Sequence, residues 1–286
     1  MCSSDHKAIR WLDQYQAAGG NKPDILALRP QIHYLSGDYK KAAELAAANV
    51  VAAEKAGQKP GEQELKLLAS ALQKQNHMAG YTQTLERLVR YYPSKAYWAD
   101  VIQRTATQPG FNRGLDLDMY RLLRATGNLT QAKDIMEMAQ LAVQAGLPGE
   151  AQAIINEAYE NKIFGTGDQN ITDRQARLKA LVDKKVAEDQ KSIAATDAQV
   201  AAAASGDPLI STGLAYVTYG QAAKGLPMIE RGIQKGDLKS PEMAQLHLGY
   251  AYVLAGDNPK AQAAFKQVQG QDGAASFARL WSLLAR

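Results

Sequence analysis

Four histidines, His6, His33, His77 and His247, are the side chains best suited to ligating a metal or moving a proton near neutral pH. They stand far apart in sequence. None belongs to a His-x-x-x-His pair or to a carboxylate pair with metal-ligand spacing. His247 directly precedes Leu248-Gly249 on a helical pattern, which makes it a surface or inter-repeat histidine. Gly165-Thr166-Gly167-Asp168 has the small residues of a phosphate-holding turn but lacks the Gly-Lys-Ser/Thr ending, so it reads as a linker turn. There is no Gly-x-Ser-x-Gly elbow to expose a nucleophile. The 29 Asp and Glu residues are spread so evenly that no pair stands out as acid and base. Cys2 is the single cysteine, so one chain has no internal disulfide, cysteine zinc site or Cys-x-x-Cys redox pair. On these grounds the chain has no catalytic, metal or cofactor-binding residue, and it reads as a non-enzyme without a cofactor.

Binding is the chemistry that remains, and the aromatic residues point to it. Tyr91-Tyr92-Pro93 lies close to Tyr97-Trp98, and Tyr216, Tyr219, Tyr250 and Tyr252 follow in the last third. A tyrosine ring buries area while its hydroxyl keeps a polar partner, which suits both helix packing and interfaces.

The elements that must position these residues are helices in a repeat. Leu248-Gly249, Tyr252, Gly256-Asp257, Ala261 and Phe265 have the same mutual spacing as Gly213, Tyr216, Gly220-Gln221, Gly225 and Ile229, some thirty-six residues earlier. Unit starts near residues 23, 62, 97, 132, 169, 206 and 242 keep that interval, close to the roughly 34 residues of a two-helix repeat. The clearest units are 62–95, 132–161, 206–239 and 242–271. Units 97–126 and 169–204 are degenerate, and 172–204 reads as one long helix or two. Pro30 is expected to kink the first helix of the unit that opens at Pro23. A last helix over 273–286, with Phe277, Leu280, Trp281 and Leu284, would cap the array. The expected fold is therefore all-α, a solenoid of about seven antiparallel helix pairs forming a single domain over 6–286.

Composition agrees with that fold and narrows the partners. A net charge of +4 on 286 residues, with both signs interspersed, calls for no nucleic acid. No apolar run reaches the roughly 18 residues a membrane span needs, and no signal peptide is visible. Met1-Cys2-Ser3-Ser4-Asp5 precedes an orphan second helix at 6–20, so these residues read as a non-native leader on a truncated chain.

The Leu248-Gly249 to Phe265 pattern resembles the tetratricopeptide repeat. The whole run, with Trp98-Ala99-Asp100 and Met136-Glu137-Met138-Ala139-Gln140, looks like a group of exported proteobacterial repeat proteins. The resemblance implies a right-handed superhelix and a periplasmic home, with a cytoplasmic one as the alternative. Small residues would let paired helices cross closely and large ones would fill between them, giving packing roles to Ala42, Ala69, Ala139, Ala151, Gly213, Tyr216, Gly249, Tyr252, Ala261 and Phe265. First helices would line a concave groove for a peptide or protein partner. By matching position the groove would present Lys66, Ser70, Gln73 and Lys74; then Lys133, Met136, Gln140 and Val143; then Ile210, Leu214, Val217 and Thr218; and finally Met243, Leu246, Tyr250 and Val253. Ser70, Gln73 and Gln140 do not supply the asparagines of a carboxylate clamp. The best candidate surface is the patch of Leu214, Val217, Leu246, Tyr250 and Val253; the alternative is that the terminal helix folds over it through Trp281. Two other functional readings stay open: a docking arm of a larger enzyme with an upstream catalytic domain, and a self-assembling envelope component.

Overall fold

In a computed structural model the chain is described over residues 3–285, with side chains from residue 7 onward. Among the described residues the regular elements are helices, and no strand occurs. Of the expected leader, residues 1 and 2 lie outside the described residues, while the backbone of 3–5 is already helical.

The chain is described as two compact units, Met1–Arg104 and Thr105–Arg286. The first holds α1 (Ser3–Ala17), α2 (Pro23–Leu26), α3 (Arg29–Leu35), α4 (Tyr39–Lys55), α5 (Glu62–Lys74) and α6 (Met78–Tyr91), and ends within α7 (Lys95–Ala106). Pro30 does more than kink its helix. The expected first helix is split into α2 and α3, with Pro30 in the first turn of α3, where its missing N–H costs nothing. Asp38 accepts from the Lys41 amide at 3.1 Å and starts α4, satisfying one of the donors a helix start leaves unpaired. Each helix then packs on its neighbour, α3 on α4, α4 on α5 and α5 on α6, and α3 also touches α5.

The second unit holds α8 (Asp116–Ala125), α9 (Ala132–Gln144), α10 (Pro148–Glu160), α11 (Gln169–Ser192), α12 (Asp197–Ala202), α13 (Asp207–Thr218), α14 (Ala222–Lys235), α15 (Pro241–Leu254), α16 (Asn258–Lys266) and α17 (Ala274–Leu284). The stretch 169–204 is not an ordinary pair. It is the 24-residue α11, a 3-10 turn at Ile193–Thr196 and the short α12. With no Gly or Pro inside it, α11 runs on until that turn.

The two matched copies near the end form α13/α14 and α15/α16. Gly220 and Gly256 end their first helices at φ 77° and 76°, a conformation that costs glycine least. Asp257 then caps α16 by accepting from the Lys260 amide, while Gln221 gives α14 no side-chain cap. The α13/α14 backbones approach so closely that a Cβ on Gly213 would lie 2.6 Å from the Gly225 carbonyl oxygen. In α15 the space beside Gly249 is taken by the Phe265 ring. The residues expected at packing positions, Ala42, Ala69, Ala139, Ala151, Gly213, Tyr216, Gly249, Tyr252, Ala261 and Phe265, are all buried.

Helix α17 covers α15 and α16, burying Phe277, Leu280 and Trp281, each worth roughly 1.5–3 kcal/mol of transfer free energy. It also packs on α8, at the opposite end of the unit. Phe277 meets Phe111 edge-on at 5.6 Å, and the Asn112 amide donates to the Asp272 carbonyl at 2.8 Å. The second unit is thus closed on itself.

Candidate functional site

That closure gathers charged side chains in the interior of the second unit. Arg121 of α8 is buried and donates from Nε and Nη2 to the two Glu150 carboxylate oxygens at 2.8 and 2.6 Å. Its Nη1 donates to Asp118 Oδ1 at 2.8 Å. The Tyr250 hydroxyl donates to Glu150 Oε1 at 2.9 Å, and the guanidinium carbon sits 4.3 Å from the Tyr250 ring centre. His247 Nε2 lies 3.2 Å from the other Asp118 oxygen. Two residues three apart on α8 and one at the start of α10 therefore meet two residues three apart on α15.

The electrostatics follow from burial set against pairing. Burial pushes the Asp118 carboxyl up, but the charges of His247 and Arg121 outweigh it and hold it down at about 2. Burial disfavours the Arg121 charge, yet attraction to Glu150 and then Asp118 keeps it protonated, well above its ordinary range. Burial, and next the Glu150 charge, push the Tyr250 hydroxyl well above the usual phenol value. A buried bidentate pair of this kind adds little net stability over an apolar substitute. Removing one partner strands a charge, which costs about 3–5 kcal/mol.

These contacts change the place of several expected groove residues. Leu214, Val217, Leu246 and Tyr250 are buried, Ile210 is 6% exposed, and Met243 and Val253 are half-buried. Tyr250 is only 4% exposed, and its ring lies 5.4 Å from Trp281, so α17 does fold over this face. The patch expected as an open surface is interior, because α8, α10 and α17 bring their own side chains onto it. A cavity of about 250 Å³ remains, lined by Ile210, Leu214 and Met243 together with Asp116, Asp118, Arg121 and His247. His247, read from sequence as a surface or inter-repeat residue, stands at its wall. Tyr219 is half-buried and donates to Asp189 at 2.8 Å. On α9, Lys133 and Gln140 are exposed while Met136 and Val143 are half-buried.

The first unit keeps an open groove. A cleft of about 670 Å³ between α3 and α5 is lined by Gln31, Tyr34, Leu35, Lys66, Leu67 and Ser70, among others. Two of the expected groove residues, Lys66 and Ser70, are brought together there. Gln73 and Lys74 are exposed further along α5. Leu35, one of several large apolar side chains left exposed, is 63% exposed and stands at this cleft. The Tyr34 and Ser70 hydroxyls share a hydrogen bond of 2.7 Å across the cleft. Lys66 reaches Glu62 at 3.0 Å, and Tyr97 donates to the same carboxylate at 2.7 Å. The Tyr97 bond, then Lys66, lowers the Glu62 carboxyl below its usual range. The neighbouring aromatic cluster is held by its own contacts: Tyr92 donates to the Pro60 carbonyl, and Lys59 Nζ lies 3.6 Å from the Tyr92 ring centre.

Sequence reasoning missed Arg121, Asp118 and Glu150. The i,i+3 spacing of Asp118 and Arg121 between Leu117 and Leu122 was the available signal. Nothing local revealed that a helix some hundred and thirty residues away would bury them. Among the described residues no group of three or more His, Cys, Asp or Glu side chains is placed to hold a metal ion. Among them, too, no helix is long and apolar enough to cross a membrane. No protein-family model matches the chain, and no curated protein matches it.

Proposed function

We propose that this chain is a non-catalytic scaffold that takes an extended peptide or protein segment in the groove of its first unit. One observation carries the reading: Leu35 stands 63% exposed in a concave cleft instead of being buried. An apolar partner side chain laid against Leu35 and Leu67 removes that surface from water, and Lys66 and Gln31 offer polar contacts beside it. The paired helices fit an array of the tetratricopeptide kind, a right-handed solenoid, and the resemblance to exported repeat proteins suits a periplasmic setting. In the second unit the corresponding apolar positions on α13 and α15 are filled by the chain's own side chains, which favours the groove of the first unit for recognition.

A random-peptide display library panned on the purified chain tests this reading. Peptides so selected should bind in calorimetry and lose at least tenfold in affinity to the Leu35→Asp/Lys66→Glu variant. Both side chains are exposed, so the variant keeps its fold. Selected peptides that bind the variant equally well would sink the assignment of the groove.

A further inference from the structure

The aromatic cluster beside α5 forms a second cleft in the first unit, of about 520 Å³. Tyr91, Tyr92, Pro93, Ala96 and Tyr97 line it, with Lys59, Glu62 and Ser94 as its polar groups. The local sequence brings the rings together. Tyr91 and Tyr92 are adjacent, and on one helix their side chains would diverge by about 100°. Pro93 disfavours helical backbone in the residue before it, and Tyr92 leaves α6 at φ −138°. Both rings therefore reach one cleft. At the start of α7 the Ser94 hydroxyl accepts from the Tyr97 amide at 3.3 Å, and Tyr97 completes the set.

The three phenol donors are spent within the chain: Tyr91 on Glu54 at 3.2 Å, Tyr92 on the Pro60 carbonyl at 2.8 Å and Tyr97 on Glu62 at 2.7 Å. The rings are thus held before any ligand arrives, so binding sacrifices little rotamer entropy. Charge restricts what can use them. Lys59 Nζ lies 3.6 Å from the Tyr92 ring centre and Lys66 Nζ 5.9 Å from that of Tyr97, so a cationic ligand meets like charge. Glu62 and the negative faces of the rings oppose an anion. A neutral ligand remains. Glu62 already accepts from Tyr97 and Lys66, whereas two donors are uncommitted. Lys59 makes no ion pair among the described residues, Glu54 and Glu62 being taken by Arg87 and Lys66, and the Ser94 O–H has no acceptor among them. The ligand must therefore bring acceptors and apolar rings, with few donors of its own. Proline answers that description, having a ring and a carbonyl but no N–H. In a polyproline II segment the carbonyls have no internal partners, and such segments dock on aromatic-lined grooves. A sugar, by contrast, brings a hydroxyl donor with nearly every acceptor.

We propose that this cleft binds a proline-rich segment of a partner protein in the polyproline II conformation. Proline rings lie against Tyr91, Tyr92 and Tyr97, and Lys59 and Ser94 donate to the segment's carbonyls. The cleft shares no lining residue with the groove at Leu35, so this site does not rest on the reading of that groove.

Capped octaproline is the probe, with a capped Gly-Ser octapeptide and cellohexaose as controls. Calorimetry of the full chain should show saturable binding of octaproline, at least tenfold tighter than either control. The labelled ring signals of Tyr92 and Tyr97 should shift with the same saturation. Tyr92→Leu should weaken octaproline at least tenfold, and Lys59→Met, which keeps an apolar stem but no donor, at least threefold. Leu35→Asp should leave octaproline binding unchanged, which separates this cleft from the groove. If Tyr92→Leu misfolds, the ring shifts and the ranking of the three probes on the unaltered chain still decide the matter. Equal binding of octaproline and the Gly-Ser peptide would overturn the proposal, as would preference for cellohexaose, unmoved tyrosine rings, or loss of octaproline binding in Leu35→Asp.

Discussion

Asp118 shows how a single buried carboxylate ties stability to pH. Its folded pKa, about 2, lies below the ordinary 3.8, so in acid the unfolded chain takes up the proton first. The stabilisation is complete above about pH 4 and is lost as pH falls through 2, for a total of about 2 kcal/mol. Urea midpoints measured between pH 5 and 2 should therefore fall, and Asp118→Asn should flatten that part of the profile. An equally steep profile in the variant would show that the acid loss arises elsewhere. The burial behind this effect could not be read locally. Asp118 and Arg121 look like any surface i,i+3 pair, and it is the arrival of Glu150 from α10 and of His247 and Tyr250 from α15 that takes them out of water.

At the level of helices, the packing pattern was far more legible. Gly249 and Phe265 were each readable as packing positions, through the recurring spacing and the resemblance it carries, though not as each other's partner. The fold places the Phe265 ring where a Gly249 side chain would go. Gly249→Leu should therefore cost about 3 kcal/mol by overpacking, seen as a lower urea midpoint with unchanged slope. A thermal melt identical to that of the parent would refute this register for α15 and α16. Other element-level features were hidden. The end of α11 is set by a 3-10 turn at Ile193–Thr196 rather than by Gly or Pro, and the split of α2 from α3 needed more than the presence of Pro30. Groove positions were inferred from matching sites alone, so Lys66 and Tyr250 looked equivalent; one is exposed and the other lies beneath Trp281.

Over the whole second unit, the decisive feature is the meeting of α8 with α17. An open array frays from its ends, because each repeat is held only by its neighbours. Here Phe277 is fully buried and touches Phe111, so the end helix is held from two directions. Phe277→Ala should cost about 3–5 kcal/mol and should speed hydrogen exchange at the Asn112 amide, which bonds to Asp272. Unchanged exchange at Asn112 would mean that the junction does not depend on this ring. The same junction has a consequence for synthesis. Asn112 and Asp272 are 160 residues apart, and drawing such distant points together costs about 4–5 kcal/mol of chain entropy before any contact repays it. At about 5–20 residues per second, the ribosome delivers Asp272 some 8–30 s after Asn112. Throughout that interval α8 can pack on α9, but the part of it that meets α17 stays uncovered, so the nascent chain offers chaperones a timed target that disappears when α17 docks.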